Sequence, residues 1–124
     1  MHRFLRKPML LASAAAVSAQ TERPTAPQPS GAISSAVNDA QRSAANRQRD
    51  QYRHPAETLA FFGVKPTDTI VEFSPGGGWY TEILAPMTKG KGRYVALVNQ
   101  RGVDSAQKML TAKQAWFGPA TVAT

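Results

Sequence analysis

Apolar positions along the chain follow two periods, and the change from one to the other marks the elements. From Ile33 onward, Ile33, Val37, Ala40, Ala44 and Tyr52 recur near every 3.6 residues, while Arg42, Arg47, Arg49 and Asp50 take the opposite side. This pattern predicts a helix with a thin apolar face, mostly alanine, and a solvated face of arginines. A second helix is expected over 54–63, with Pro55 in its first turn, Gly63 as its cap and Leu59, Phe61 and Phe62 as its apolar mass. Lys65-Pro66-Thr67-Asp68 reads as a turn into a strand at 69–73. Past three glycines, Trp79, Ile83, Leu84 and Met87 mark one face of a third helix, which Pro86 should end or kink. Lys89-Gly90-Lys91-Gly92 is a turn and 93–98 a second strand. Asp104 is placed to cap a fourth helix that runs to about Phe117 and stops at Gly118-Pro119, and 121–124 begins a third strand.

Helices alternating with strands in this way call for parallel strands joined by right-handed crossovers. The fold class expected is α/β, with N-terminal helices followed by β-α-β-α and an incipient third strand of a parallel sheet. The first strand would be central in a complete sheet of this type, yet nothing in the sequence supplies its second neighbour. Only 46 residues follow Gly78. The expectation is therefore that 33–124 is the N-terminal portion of a longer, truncated domain, or that the open strand edge associates with another chain.

The first residues change the picture of charge. Arg3, Arg6 and Lys7 precede an uncharged run from Met9 to Ala19 that ends in Val17-Ser18-Ala19, the pattern of a cleavable signal peptide over 1–19. Eleven uncharged residues fall short of the roughly 20 that a stable membrane span needs. Residues 20–32 carry three prolines and no apolar period, and read as a flexible linker. The net charge of +7 drops to +4 once the signal is gone, which gives no reason to expect a nucleic-acid partner. Export, to the periplasm or the medium, is the expected localisation. With no cysteine and only His2 and His54, neither a disulfide framework nor a thiolate or histidine metal site can be built.

Candidate chemistry concentrates in Glu72-Phe73-Ser74-Pro75-Gly76-Gly77-Gly78. Glycine accepts positive φ and lacks a Cβ, so Gly76, Gly77 and Gly78 permit a sharp turn with a ligand lying on the backbone. The amides opening the following helix can donate to a carboxylate or phosphate. The dinucleotide spacing Gly-x-Gly-x-x-Gly fails here, because Thr81 falls at its third glycine, which argues against an oxidoreductase half. The shorter form acidic-x-x-x-Gly-x-Gly fits, with Glu72, Gly76 and Gly78.

That form resembles the first motif of class I S-adenosylmethionine-dependent methyltransferases. The stretches 49–63 and 74–86 are similar to a bacterial group of predicted methyltransferases that begin with a signal peptide, and the likeness extends over about residues 35–98. The resemblance implies a partial Rossmann-like fold and S-adenosylmethionine as cofactor. It further implies that Gly76 and Gly78 line its methionine and adenosine parts, with Gly77 between them, and that Glu72 accepts from its amino group or orders the loop. Two positions depart from the family pattern. Ser74 stands where many members carry a further glycine, and Asn99 stands near where an acidic residue usually accepts from the ribose hydroxyls. In a complete relative a methyl group passes from this small-molecule donor to an acceptor that the sequence does not identify, and the present chain is read as an inactive fragment. The alternative is a non-catalytic exported binding module that retains a Rossmann-like remnant. Trp79 and Tyr80 are expected in the core or the pocket wall, and Tyr52, Arg53 and His54 at a helix junction or over the cofactor mouth, where His54 is a candidate base.

Overall fold

A computed structural model describes residues 22–124 and, ahead of them, Ala15. Apart from that alanine, the expected signal segment 1–19 lies outside the described residues. Residues 22–30 form no helix or strand, and helix α1 (Gly31–Val37) begins just inside the segment expected to be linker, capped by the Ser30 hydroxyl. There follow α2 (Ala44–Gln48), α3 (Asp50–Arg53), α4 (Pro55–Phe61), β1 (Thr69–Phe73), α5 (Thr81–Thr88), β2 (Arg93–Leu97), a 3-10 turn (Gln100–Gly102), α6 (Val103–Ala112), α7 (Gln114–Phe117) and β3 (Thr121–Ala123).

The three strands form one parallel sheet in the order β1-β2-β3. Its registers set Val71 beside Val95, Phe73 beside Leu97 and Leu97 beside Ala123. Alternation along the strands gives the sheet two unlike faces. Ile70, Tyr94, Ala96 and Val122 pack into the core, against a layer built around α5 with Ile83, Leu84, Ala85 and Met87. Leu110 of α6, Phe117 of α7, Leu59 of α4 and Ile33 of α1 close that core. The other face is bare at β1: Val71 is 56% and Phe73 76% exposed. Parallel sheets are ordinarily covered on both faces, so this is an α/β sheet with one layer of helices.

Three expectations need correction. The single helix expected from Ile33 to Tyr52 is three helices. Asn38 caps α1, the Asp39 carboxylate accepts from the Gln41 N–H to turn the chain, and Ser43 caps α2 by accepting from the Asn46 N–H. Each is a local side-chain bond that competes with continued helix. Arg42, expected on a solvated face, is 3% exposed and paired with Asp50, whereas Arg47 and Arg49 do face solvent. The fourth helix breaks at Lys113 into α6 and α7, and Asp104 lies inside its first turn with no capping bond. Elsewhere the expected elements form. Pro86 is accommodated within α5, which ends two residues later, and α5 is buried on nearly every side. Phe61 and Phe62 remain outside the core, set edge to face against each other.

Candidate functional site

The strand-to-helix connection after β1 is the most contorted backbone in the described chain. Ser74, Gly76 and Gly78 take φ of +51°, +54° and +78°. For Ser74 this left-handed geometry presses its Cβ toward the carbonyl and costs about 1–2 kcal/mol. The glycines differ in purpose. A Cβ on Gly77 would meet nothing within 4 Å and one on Gly76 only the Ser74 carbonyl at 3.9 Å, so their backbone is open to a ligand. A Cβ on Gly78 would meet the Met109 sulfur at 2.8 Å, so Gly78 lets α6 pack against the turn. The Gly78 N–H donates to the Pro75 carbonyl at 2.9 Å, while those of Gly76 and Gly77 take no backbone acceptor among the described residues.

Glu72, the penultimate residue of β1, points to the helix side of the sheet. Its Oε2 accepts from the Tyr94 hydroxyl at 2.6 Å and from the Thr81 hydroxyl at 2.9 Å. Its Oε1 has no protein donor among the described residues, and Glu72 lines the cleft beside the turn. Burial raises the Glu72 pKa above its ordinary value, against the two hydroxyl bonds that pull it down. Burial, reinforced by the neighbouring Glu72 charge, also raises the Tyr94 phenol, so Tyr94 stays protonated and remains a donor.

Two hollows meet at Ser74, Pro75 and Gly76. One, of about 620 Å³, is bounded by Glu72–Gly77 and by Phe62, Trp79, Tyr80, Arg49 and Arg53. The other, of about 230 Å³, lies between the turn and the end of β2, at Asn99, Gly102 and Ser105. Asn99 occupies that second hollow, but its Oδ1 accepts from the Gly102 N–H at 3.1 Å and so caps the 3-10 turn. The structure thus brings Glu72, Ser74, Gly76 and Gly77 to one hollow and Ser74, Gly76 and Asn99 to the other, and Gly78 to neither. A larger hollow of about 840 Å³, between Pro86, Lys89 and Trp116, shares no residue with the turn.

Sequence reading missed the strap that holds the turn in place. Trp79 is buried, and its indole N–H donates to the Asn46 carbonyl and to Asp50 Oδ1, each at 3.0 Å. Asp50 in turn receives two bonds from Arg42, at 2.6 and 2.9 Å, and Arg42 also donates to the Val37 carbonyl at 2.7 Å. The Arg53 guanidinium lies 4.8 Å from the centre of the Trp79 ring. Buried Glu82 accepts from the Ser43 N–H at 3.1 Å and from Lys113 at 3.3 Å, which ties α5 to the start of α2 and to the α6–α7 break. The Ser43 cap is announced locally and Arg42 reaches Val37 and Asp50 within eight positions, but the side-chain bonds of Trp79 and Glu82 join residues 29 or more positions apart. His54 takes φ +45° where α3 meets α4, is exposed, and lines neither hollow, so it stands at the helix junction and not at the turn. Among the described residues no three His, Cys, Asp or Glu gather as metal ligands, and no helix is long and apolar enough to cross a membrane.

Compared with protein-family models, with curated proteins and with solved structures, the chain matches none. What the site can do therefore rests on its own chemistry. It offers an accessible carboxylate oxygen for an ammonium group, two open backbone N–H groups for an anion, and a neutral amide at the far hollow.

Proposed function

We propose that the chain is the S-adenosylmethionine-binding part of a methyltransferase-like domain with a partial Rossmann-like fold. The observation that carries this reading is the Glu72 carboxylate, with Oε1 unpartnered, beside an open Gly76-Gly77 backbone at the carboxyl ends of parallel strands. Ligands of open parallel sheets bind outside those strand ends.

The residues fit such a cofactor at its amino-acid end: Glu72 Oε1 would accept from the ammonium, and the Gly76 and Gly77 amides would meet the carboxylate or the thioether arm. At the other end Asn99 would supply its amide N–H₂ to a ribose oxygen, a weaker contact than the usual carboxylate because it is uncharged. The bound cofactor supplies an activated methyl group on a sulfonium. The chain's part is to orient, and Ser74, held in a strained conformation by its neighbours, fixes where the turn meets the ligand.

Calorimetric titration of the full chain with S-adenosylhomocysteine tests the reading. Saturable binding is expected, weakened at least tenfold in Glu72→Gln, a change that keeps an acceptor for Tyr94 and Thr81. A chain that is folded by circular dichroism and binds neither this compound nor S-adenosylmethionine would overturn it. A non-catalytic exported binding module is the second reading. The neutral, cap-engaged Asn99 favours it, since recognition of the ribose is then reduced to one uncharged donor.

A further inference from the structure

The 620 Å³ cleft carries more positive charge than the cofactor reading uses. Arg49 and Arg53 both line it, and neither pairs with a carboxylate among the described residues. Arg53 is not a loose surface cation. Its guanidinium lies over the Trp79 ring, and that ring is fixed by the indole bonds to Asn46 and Asp50. Stacking of this kind presents the fork of N–H donors in one orientation, at little further loss of freedom when an anion arrives. The same cleft has an apolar lining in which Phe62 and Phe73 are largely exposed. Among the described residues the only carboxylate lining the cleft is that of Glu72, already engaged by two hydroxyls on one oxygen.

We propose that this cleft binds a planar aromatic or conjugated carboxylate, its ring between the aromatic wall residues and its charge on Arg53, with Arg49 assisting. On the methyl-transfer reading above, on which this assignment of role rests, such a compound is the acceptor class: an anionic oxygen of the ligand would bond to the methyl carbon as the sulfonium S–C bond breaks, its electron pair leaving with the neutral thioether. Two guanidiniums at a single cleft match one small anion, whereas a polyanion would call for a charged track along the surface. An apolar ligand without charge would leave the orienting donors idle. Aromatic side chains with a few placed polar groups are the ordinary lining of small-molecule sites.

The test is a fluorescence titration of the full chain with 2-naphthoate and with its neutral counterpart 2-naphthamide, each with and without saturating S-adenosylhomocysteine. Naphthoate should bind at least tenfold more tightly than the amide, equally well in both conditions. The exposed substitution Arg53→Gln should level the two affinities, and Arg53→Lys should restore part of the difference. Equal affinities in the wild-type chain would show an apolar groove without anion selectivity and overturn the proposal. So would absence of naphthoate binding, or mutual exclusion with S-adenosylhomocysteine, which would assign the arginines to the cofactor's own carboxylate. Arg53-dependent naphthoate binding by a chain that does not bind S-adenosylhomocysteine would retire the methyl-donor reading while the anion site stands.

Discussion

At the scale of single residues, Ser74 and Glu72 carry the clearest consequences. Ser74 holds φ +51° at a place where glycine would be unstrained. Ser74→Gly should therefore stabilise the chain by about 0.5–1 kcal/mol, the relief of left-handed strain exceeding the added freedom of the unfolded chain. A rise in the urea midpoint without a change in slope would register it. Gly78→Ala should do the reverse, because it places a Cβ against the Met109 sulfur in a left-handed backbone. A loss of about 1–3 kcal/mol is expected, only partly recovered by Met109→Ala, since removing the sulfur leaves the φ strain in place.

Glu72 makes stability depend on pH in an unusual direction. Its folded pKa is raised, so over the interval just above the ordinary carboxylate value the native chain binds more protons than the unfolded one. Stability contributed by the protonated form is whole below that interval and is lost as pH rises through the folded pKa. Denaturant midpoints followed across this range should fall with pH in the wild type relative to Glu72→Gln. Binding should move the opposite way: a ligand ammonium needs the ionised carboxylate, so affinity for S-adenosylhomocysteine should strengthen over the same rise.

Among the elements, legibility divided along local and distant causes. Pro55, Gly63 and the Lys65–Asp68 turn are local signals, and α4 and β1 form where these place them. The glycine turn likewise announced a strand before it and a helix after it. Asn38, Asp39 and Ser43 were local signals too, yet the apolar period running past them suggested one helix where side-chain bonds make three. The buried pair Arg42–Asp50 had no such signal. An arginine facing away from an alanine stripe looks solvated until Asp50 and Trp79 fold over it. The α6–α7 break at Lys113 was equally hidden, because its partner Glu82 belongs to another helix. Arg42→Ala would leave Asp50 partly buried without its cation and remove a wholly buried side chain. A loss of about 3 kcal/mol is expected. Hydrogen exchange should accelerate first in the amides of α2 and α3, before those of β2.

For the whole molecule, the decisive property is a parallel sheet covered on one face. The sequence pattern made the β1 edge visible as a strand without a second neighbour, and the structure adds that the face beside it is bare, with Val71 and Phe73 exposed. An unpaired, apolar strand edge is a site of self-association. Concentrated wild-type protein should accordingly show concentration-dependent association by sedimentation velocity, and Phe73→Lys should suppress it without loss of helical circular dichroism. Unchanged association in that variant would shift the cause to Phe61 and Phe62. The candidate site was less legible than the sheet. Glu72, Gly76 and Gly78 could be singled out from spacing, Gly77 as part of the glycine turn and Ser74 through the family resemblance, but the guanidinium over Trp79 and the indole held by Asn46 and Asp50 arise only when α2 and α3 fold back across the turn.

The bond from the Trp116 indole to Asp39 spans 77 positions at 2.9 Å, and Lys113 reaches Glu82, which itself holds Ser43. A ribosome makes Asp39 and Ser43 long before it makes Lys113 and Trp116. During that interval Glu82 has no cation to accompany it into the interior, and the loop after α1 has no indole to close on. Contacts of such wide separation form late, because the ordering of the intervening chain precedes any return from them. The loop after α1, made early, is thus among the last parts of the described chain to be locked, and it is α7 that locks it.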